Sequence, residues 1–163
     1  MRILLELEQI AMLECELKKA RSRETGGLLF GEHIAGDLFR IVSLSTQEPG
    51  STSHFVRDPK HHANALDQFF EATGKHYERF NYLGEWHSHP NFHPTPSTTD
   101  HQTMREILTD PEVGANFLVL LIVRRSWTGL QMSATVYTPN SDPEPARILV
   151  EIRPAVPPRR RMI

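Results

Sequence analysis

The chain predicts a single-domain α/β fold, a mixed central sheet flanked by helices. Three observations carry this expectation. Segments of helical periodicity alternate with short apolar runs in the order α-β-β-α-β-α-β-β, which suits strands of one sheet covered by helices. One of those runs, FLVLLIVR, is apolar without interruption, as expected of a strand buried on both faces. The length, 163 residues, is enough for one domain with a sizeable core. We place that domain at residues 1–153 and expect the tail 154–163, PAVPPRRRMI, to be disordered.

Each element has its own justification. Over residues 3–22, Ile3, Leu7, Ile10, Leu13 and Leu17 recur at helical spacing. Lys18, Lys19, Arg21 and Arg23 gather toward the C-terminal end, where cations complement the helix dipole. Gly26 and Gly27 are expected to stop this helix. LLFGEH and LFRIVSLS read as two strands joined near Gly36-Asp37, and QEPGSTSHFVRDPK, residues 47–60, as a polar connection. A second helix is expected over residues 59–76, with Ala63, Leu66, Phe69 and Phe70 as its apolar stripe. Residues 80–89 form a strand that Pro90 closes, and the prolines of NFHPTP stiffen the loop after it. Thr98–Thr109 is the third helix; LQMSATVYT alternates as a strand beside FLVLLIVR, and ARILVEIR is a candidate for one further strand beyond that order.

Composition excludes several classes. The net charge is −2 and the pI about 6.5, so nothing in the overall balance asks for nucleic acid or an anionic membrane. The triplet Arg159, Arg160 and Arg161 reads as a solvated tail rather than a docking site. Cys15 is the sole cysteine, which rules out an internal disulfide and a thiolate metal site, and its setting in MLECELKKA predicts a half-buried helical position. The start MRILLELEQIAML lacks the apolar core of a signal peptide, and no stretch approaches the roughly 20 apolar residues of a membrane helix. The expectation is a soluble, cytoplasmic protein. Neither G-x-G-x-x-G nor a P-loop is present, so no nucleotide cofactor is expected.

The chemistry concentrates in GEWHSHPNFHPTPSTTD, Gly84 to Asp100. His87 and His89 stand at i and i+2 of a strand and therefore face the same side. With a carboxylate from Asp100 they make a two-histidine, one-carboxylate zinc set that keeps its fourth position for water, the arrangement of a catalytic site. A lone strand histidine would be unremarkable, but the same-face pair followed by S-x-x-D favours a metal. Ser97 and Asp100 also satisfy a helix capping box, S-x-x-[DE]. Beside HSHP, Asp100 reads as the third ligand, and Ser97 as a donor to the oxyanion of a tetrahedral intermediate.

A catalytic zinc needs a group to take and return the proton of its water, and Glu24, in RETGGLLFG, is the best candidate. A carboxylate at a helix C-terminus is disfavoured by the dipole, so its placement there points to another task. Glu85 shares strand parity with the histidines and is the rival base. His93 reads as a shaper of the substrate groove, and His101 as pointing away from the site. His61 and His62 are expected in contact with solvent, and Trp86, on the opposite strand face, in the core.

Taken together, a Glu before an apolar strand, then H-x-H, seven residues and S-x-x-D, this pattern resembles the JAMM/MPN+ metallopeptidases, and every position of the signature is filled. The resemblance spans most of the chain. It implies a curved central sheet flanked by helices, like that of the cytidine deaminases. The deaminase signature of H-x-E with P-C-x-x-C is absent, so that chemistry does not come with the fold. Members of the family remove ubiquitin or ubiquitin-like modifiers by cutting the isopeptide bond after the modifier's terminal glycine. Compact bacterial members similar to this chain, in ETGGLLFGE and GEWHSHP…PTPS, accompany ubiquitin-like conjugation operons, including antiphage systems with activating and conjugating enzymes. The resemblance therefore implies a bacterial deubiquitinase-like zinc protease whose partners are a modifier and its conjugated target. Between His89 and Phe117 there is little room for the insertions with which large eukaryotic members grip substrate, which leaves a modifier tail free to add along an exposed strand edge. Two other classes are a zinc hydrolase acting on a sulfur-carrier protein conjugate and a non-catalytic MPN scaffold, against which the complete ligand set argues.

Overall fold

The computed structural model describes residues 1–48, 50 and 58–151. Seven strands and three helices follow one another as β1 (Arg2–Glu6), α1 (Leu7–Ala20), β2 (Gly26–Ala35), β3 (Leu38–Leu44), α2 (Pro59–Ala72), β4 (Phe80–Ser88), α3 (Thr98–Thr109), β5 (Leu118–Ser126), β6 (Gly129–Tyr137) and β7 (Glu144–Glu151). The α/β class and the mixed sheet are as expected. The strand order is β1-β3-β2-β4-β5-β6-β7, and β1 pairs in parallel with both β3 and β7, so the sheet curls until its ends meet. β4 and β5 are also parallel; the remaining pairs are antiparallel.

The start of the chain departs from expectation. Ile3 belongs to a strand, not to the first helix. Ile3 and Leu5 are fully buried while Arg2, Leu4 and Glu6 are not, which is the period of a strand. Ile3 and Leu7 happen to fall four apart, which mimics a helix, but Leu7 is exposed. Pairing with β3 and β7, both distant in sequence, decides the outcome. The helix begins after Glu6, whose N–H donates to Gln9 Oε1 at 3.3 Å. It buries Leu13, Leu17 and Ala20 and ends at Arg21, which turns to φ 60°. Gly26 and Gly27 are thus strand residues rather than the helix stop. Cys15 faces solvent instead of being half-buried, because it lies off that apolar stripe.

Helices cover both faces of the sheet. Inside the curl, Leu13 and Leu17 of α1 pack with Ile3, Leu5, Leu29, Ile41, Trp86 and Leu121. On the other face, Phe69 of α2 lies on Leu28 and Phe30, and Met104 and Leu108 of α3 lie on Leu118, Leu120 and Ile122. β5 therefore buries both faces, as its unbroken apolar run predicts. The second helix stops at Ala72, four residues short of expectation, where Thr73 Oγ1 donates to the Phe69 carbonyl and Gly74 takes φ 62°. The tail 154–163, with Arg159, Arg160 and Arg161, and most of the polar connection before α2 lie outside the described residues.

Candidate metal centre

The site forms where the C-terminal end of β4 meets the first turn of α3. Strand alternation sends Trp86 inward, fully buried, with its indole N–H on the Ser45 carbonyl at 2.8 Å, and sends His87 to the opposite face. His87 lies opposite Gly26 of β2 and Ile122 of β5. Gly26 permits the close approach: a Cβ there would stand 2.3 Å from the Trp86 carbonyl oxygen and 2.8 Å from His87 Cβ. His89 continues beyond the strand, its N–H on the Val123 carbonyl at 3.0 Å.

Asp100 comes from α3, where the capping reading of S-x-x-D holds and leaves the carboxylate facing the two histidines. Ser97 caps the helix: its Oγ accepts the Asp100 N–H at 3.2 Å, while its own N–H and O–H donate to Asp100 Oδ2, each at 2.7 Å. That reciprocal grip fixes the carboxylate with Oδ1 turned to His87 Nε2 at 3.3 Å. His89 Nε2 stands 3.6 Å from Oδ2 and 3.1 Å from His87 Nε2.

These distances are close to those between atoms that share a metal. Tetrahedral ligands at bonds of 2.0–2.2 Å are separated from one another by about 3.3–3.6 Å, and here the two imidazole Nε2 atoms stand 3.1 Å apart, His87 3.3 Å from Oδ1 and His89 3.6 Å from Oδ2. The proton positions agree. His89 Nδ1 lies 3.0 Å from the His93 carbonyl, which can only accept, so Nδ1 carries a hydrogen and Nε2 is the nitrogen left for a metal once the ring is neutral. Charge agrees too. Burial opposes ionisation of Asp100, but hydrogen bonds from His87 and His89 and the charge on His87 outweigh it and hold the carboxyl well below the usual carboxylate range. Burial likewise opposes an imidazolium at His89, yet the Asp100 hydrogen bond, the His93 carbonyl and the charges of Asp100 and Glu24 raise its pKa. The site attracts positive charge, and among the described residues His87, His89 and Asp100 are the group placed to share an ion.

Glu24 is nearly buried, at 6% exposure, and close enough for its charge to act on His89. It does not end a helix. α1 stops at Ala20, and Glu24 lies in the connection to β2, its carbonyl accepting the Gly50 N–H at 2.8 Å. Its burial near His89, not a helix dipole, is what makes it a candidate. Glu85 is buried between Leu28 and Leu120 on the neighbouring strands and opens on a groove of about 900 Å³ shared with Leu66, Phe70 and Tyr82. His101 points away, with Nδ1 2.9 Å from the Tyr137 hydroxyl. His61 and His62 are half-buried rather than solvated, on a helix whose Leu66, Phe69 and Phe70 pack against the sheet. Two contributors carried no sequence signal that a motif could register. One is the backbone carbonyl of His93, and the other is Ser88, which bonds to Thr25 across the strand pair.

Comparison with known proteins identifies the family and the fold. The family described as prokaryotic homologs of the JAB domain matches residues 10–136. A CD-NTase/cGAS isopeptidase of Vibrio cholerae is 36% identical over 65% of this chain and 66% of that protein, so the match spans just under two thirds of the relative. A probable metalloprotease of Sinorhizobium fredii is 25% identical over 69% of this chain and 71% of its own length. The solution structure of protein DSY2949 from Desulfitobacterium hafniense shares the fold, with a TM-score of 0.70 over 93% of this chain and 94% of that one, at 21% identity. By its sequence match and its fold, the chain belongs to the prokaryotic JAB family, the bacterial deubiquitinase-like side of the JAMM/MPN proteins.

Proposed function

We propose that this protein is a zinc-dependent isopeptidase that releases a ubiquitin-like modifier from its target or precursor. The observation that carries the reading is the convergence of His87 Nε2, His89 Nε2 and Asp100 Oδ1 and Oδ2 within 3.1–3.6 Å, with the buried Glu24 carboxylate beside them. Zinc held there would supply Lewis acidity to an amide carbonyl and bring the pKa of water in its fourth position to about 7.

The chain's own groups do the rest. Glu24 takes the proton from the attacking water and passes it to the leaving amine nitrogen, so that the amine departs neutral. Ser97 Oγ donates to the carbonyl oxygen as negative charge develops on it. To do so the hydroxyl turns away from Asp100 Oδ2, while the Ser97 N–H keeps its own 2.7 Å bond to that oxygen, so the helix cap survives. The His93 carbonyl keeps His89 in the tautomer that presents Nε2.

The partners of this reading are a ubiquitin-like modifier and its conjugated target, with activating and conjugating enzymes encoded nearby, in the cytoplasm. This reading gives no part to nucleic acid or membrane. No helix among the described residues is long and apolar enough to cross a bilayer. The name of the Vibrio relative makes a CD-NTase/cGAS protein the first target to try, and the resemblance to compact bacterial family members makes antiphage defence the first setting. The test uses the ubiquitin-like protein encoded beside this gene, fused through its terminal residue to such a target. Cleavage after that residue, abolished by a chelator and by Glu24→Ala, is expected. An intact fusion with zinc-loaded protein overturns the substrate assignment and shifts attention to sulfur-carrier conjugates.

A further inference from the structure

Ser88 stands between the two histidines of the metal centre and faces the other way. It is buried, with 1% of its surface exposed, as is Thr25 across the strand pair. Its N–H donates to the Thr25 carbonyl at 2.8 Å, and its Oγ accepts the Thr25 N–H at 3.0 Å. Beyond the Gly26–His87 pair the antiparallel ladder would close Thr25 N–H onto the Ser88 carbonyl, but the hydroxyl takes that donor instead. The chain at Thr25 is thus clasped at both of its polar groups by one residue. Glu24 immediately precedes it and is tied on its other side by the Gly50 N–H at 2.8 Å.

We propose that Ser88 is a positioning residue for Glu24: its hydroxyl fixes the Thr25 backbone and so sets where the Glu24 carboxylate stands relative to His87, His89 and Asp100. The inference rests on Glu24 being the proton carrier of the proposed reaction. One strand then serves both halves of the chemistry. Its outward side chains, His87 and His89, hold the ion, and the inward hydroxyl between them holds the base. Removing the hydroxyl leaves the Thr25 N–H without its acceptor, so the chain at Thr25 loosens and the Glu24 carboxylate moves. A misplacement of about 1 Å in a reacting group lowers turnover by roughly 100-fold.

The experiment compares zinc-loaded, full-length wild type with Ser88→Ala, Ser88→Cys, Ser88→Thr and Glu24→Ala on the modifier–target fusion. Alongside, amide hydrogen exchange is followed at Thr25 and at Leu28, whose N–H is held independently by Ser45 Oγ at 2.9 Å. Ser88→Ala should keep its zinc and its KM, lose about 10- to 100-fold in kcat, and exchange the Thr25 proton faster while Leu28 stays protected. Ser88→Thr, which retains the hydroxyl, should restore both turnover and Thr25 protection. Ser88→Cys, nearly the same size with a weak acceptor, should resemble Ser88→Ala and carries the comparison should the alanine protein not fold. Wild-type kcat in Ser88→Ala and Ser88→Cys, with Glu24→Ala inactive, overturns the positioning role and leaves the base assignment intact. Loss of zinc from the Ser88 variants also overturns it, since the residue would then act on the ligands. Full turnover by Glu24→Ala overturns both readings.

Discussion

Gly26→Ala offers the sharpest perturbation of the packing that builds the site. The added Cβ would meet the Trp86 carbonyl oxygen at 2.3 Å, His87 Cβ at 2.8 Å and His87 Cα at 3.0 Å. All three belong to the body of β4, which is locked to β5 through the pairs Trp86–Leu121 and His87–Ile122, so none can swing aside. β2 and β4 must therefore part by roughly 1 Å to bring the closest approach from 2.3 Å to 3.4 Å, where ordinary contact begins. Overpacking of this kind costs about 1–3 kcal/mol. For a domain of this size that lowers Tm by roughly 2–12 °C. The displacement also carries Glu24, two residues upstream, and disturbs His87, so zinc affinity should fall by about 10- to 100-fold, as when groups supporting a metal ligand are lost. Gly36→Ala is the matched control. Gly36 has φ 55° and nothing within 4 Å of an added Cβ, so it pays only the left-handed backbone penalty, about 1–2 kcal/mol. Calorimetry on both variants with zinc titration on the metal-free forms separates the effects. Both should melt early, and only Gly26→Ala should bind zinc poorly. Wild-type zinc affinity in Gly26→Ala would refute the claim that strand packing at this point shapes the metal centre.

Four further outcomes can be measured. Asp100→Ala or His89→Ala should abolish zinc binding by elemental analysis, and unchanged metal content would show the ligands to be misassigned. Glu24→Ala should retain the ion and lose turnover. Ser97→Ala should lose about 1 kcal/mol of stability through the helix cap, and its kcat should also fall; a stability loss alone would leave Ser97 as a cap and nothing more. pH acts on the metal-free protein through two shifts of opposite sign. Asp100 is depressed, so its contribution is present above its unfolded pKa and lost as pH falls through the folded value; His89 is raised, so its contribution is present below its unfolded pKa and lost as pH rises through the folded value. Tm of the stripped protein should therefore be favoured by this pair between about pH 4 and 6.5 and decline above it, while zinc affinity weakens toward acid as the proton competes for His89 Nε2.

What could be read from the sequence was what depends on local order. The i, i+2 spacing of His87 and His89 and the S-x-x-D of Ser97 and Asp100 placed the candidate ligands on a strand end and a helix start, because strand parity and helix capping are properties of neighbours in the chain. The unbroken run of β5 declared its two-sided burial for the same reason. The errors lie where distant pairing decides. Ile3 read as helical because Leu7 stands four residues on, but β3 and β7 claim that segment as a strand. Gly26 and Gly27 read as a helix stop; their role is to let strands approach, which depends on Trp86 and Ser45, far away in sequence. Ser88 and the His93 carbonyl carry ordinary signals for a strand and a loop, and their tasks exist only once Thr25 and His89 are beside them. Glu24 was found by its place in the motif, while the property that distinguishes it, burial near His89, required the fold.

The most direct test of the central claim is to strip the metal from the wild-type protein and follow recovery of isopeptidase cleavage as zinc is added back. The account predicts that activity returns linearly and saturates at one zinc per chain, with Glu24→Ala binding the same equivalent and recovering nothing. Full cleavage by the stripped protein, or recovery in Glu24→Ala equal to wild type, would contradict it.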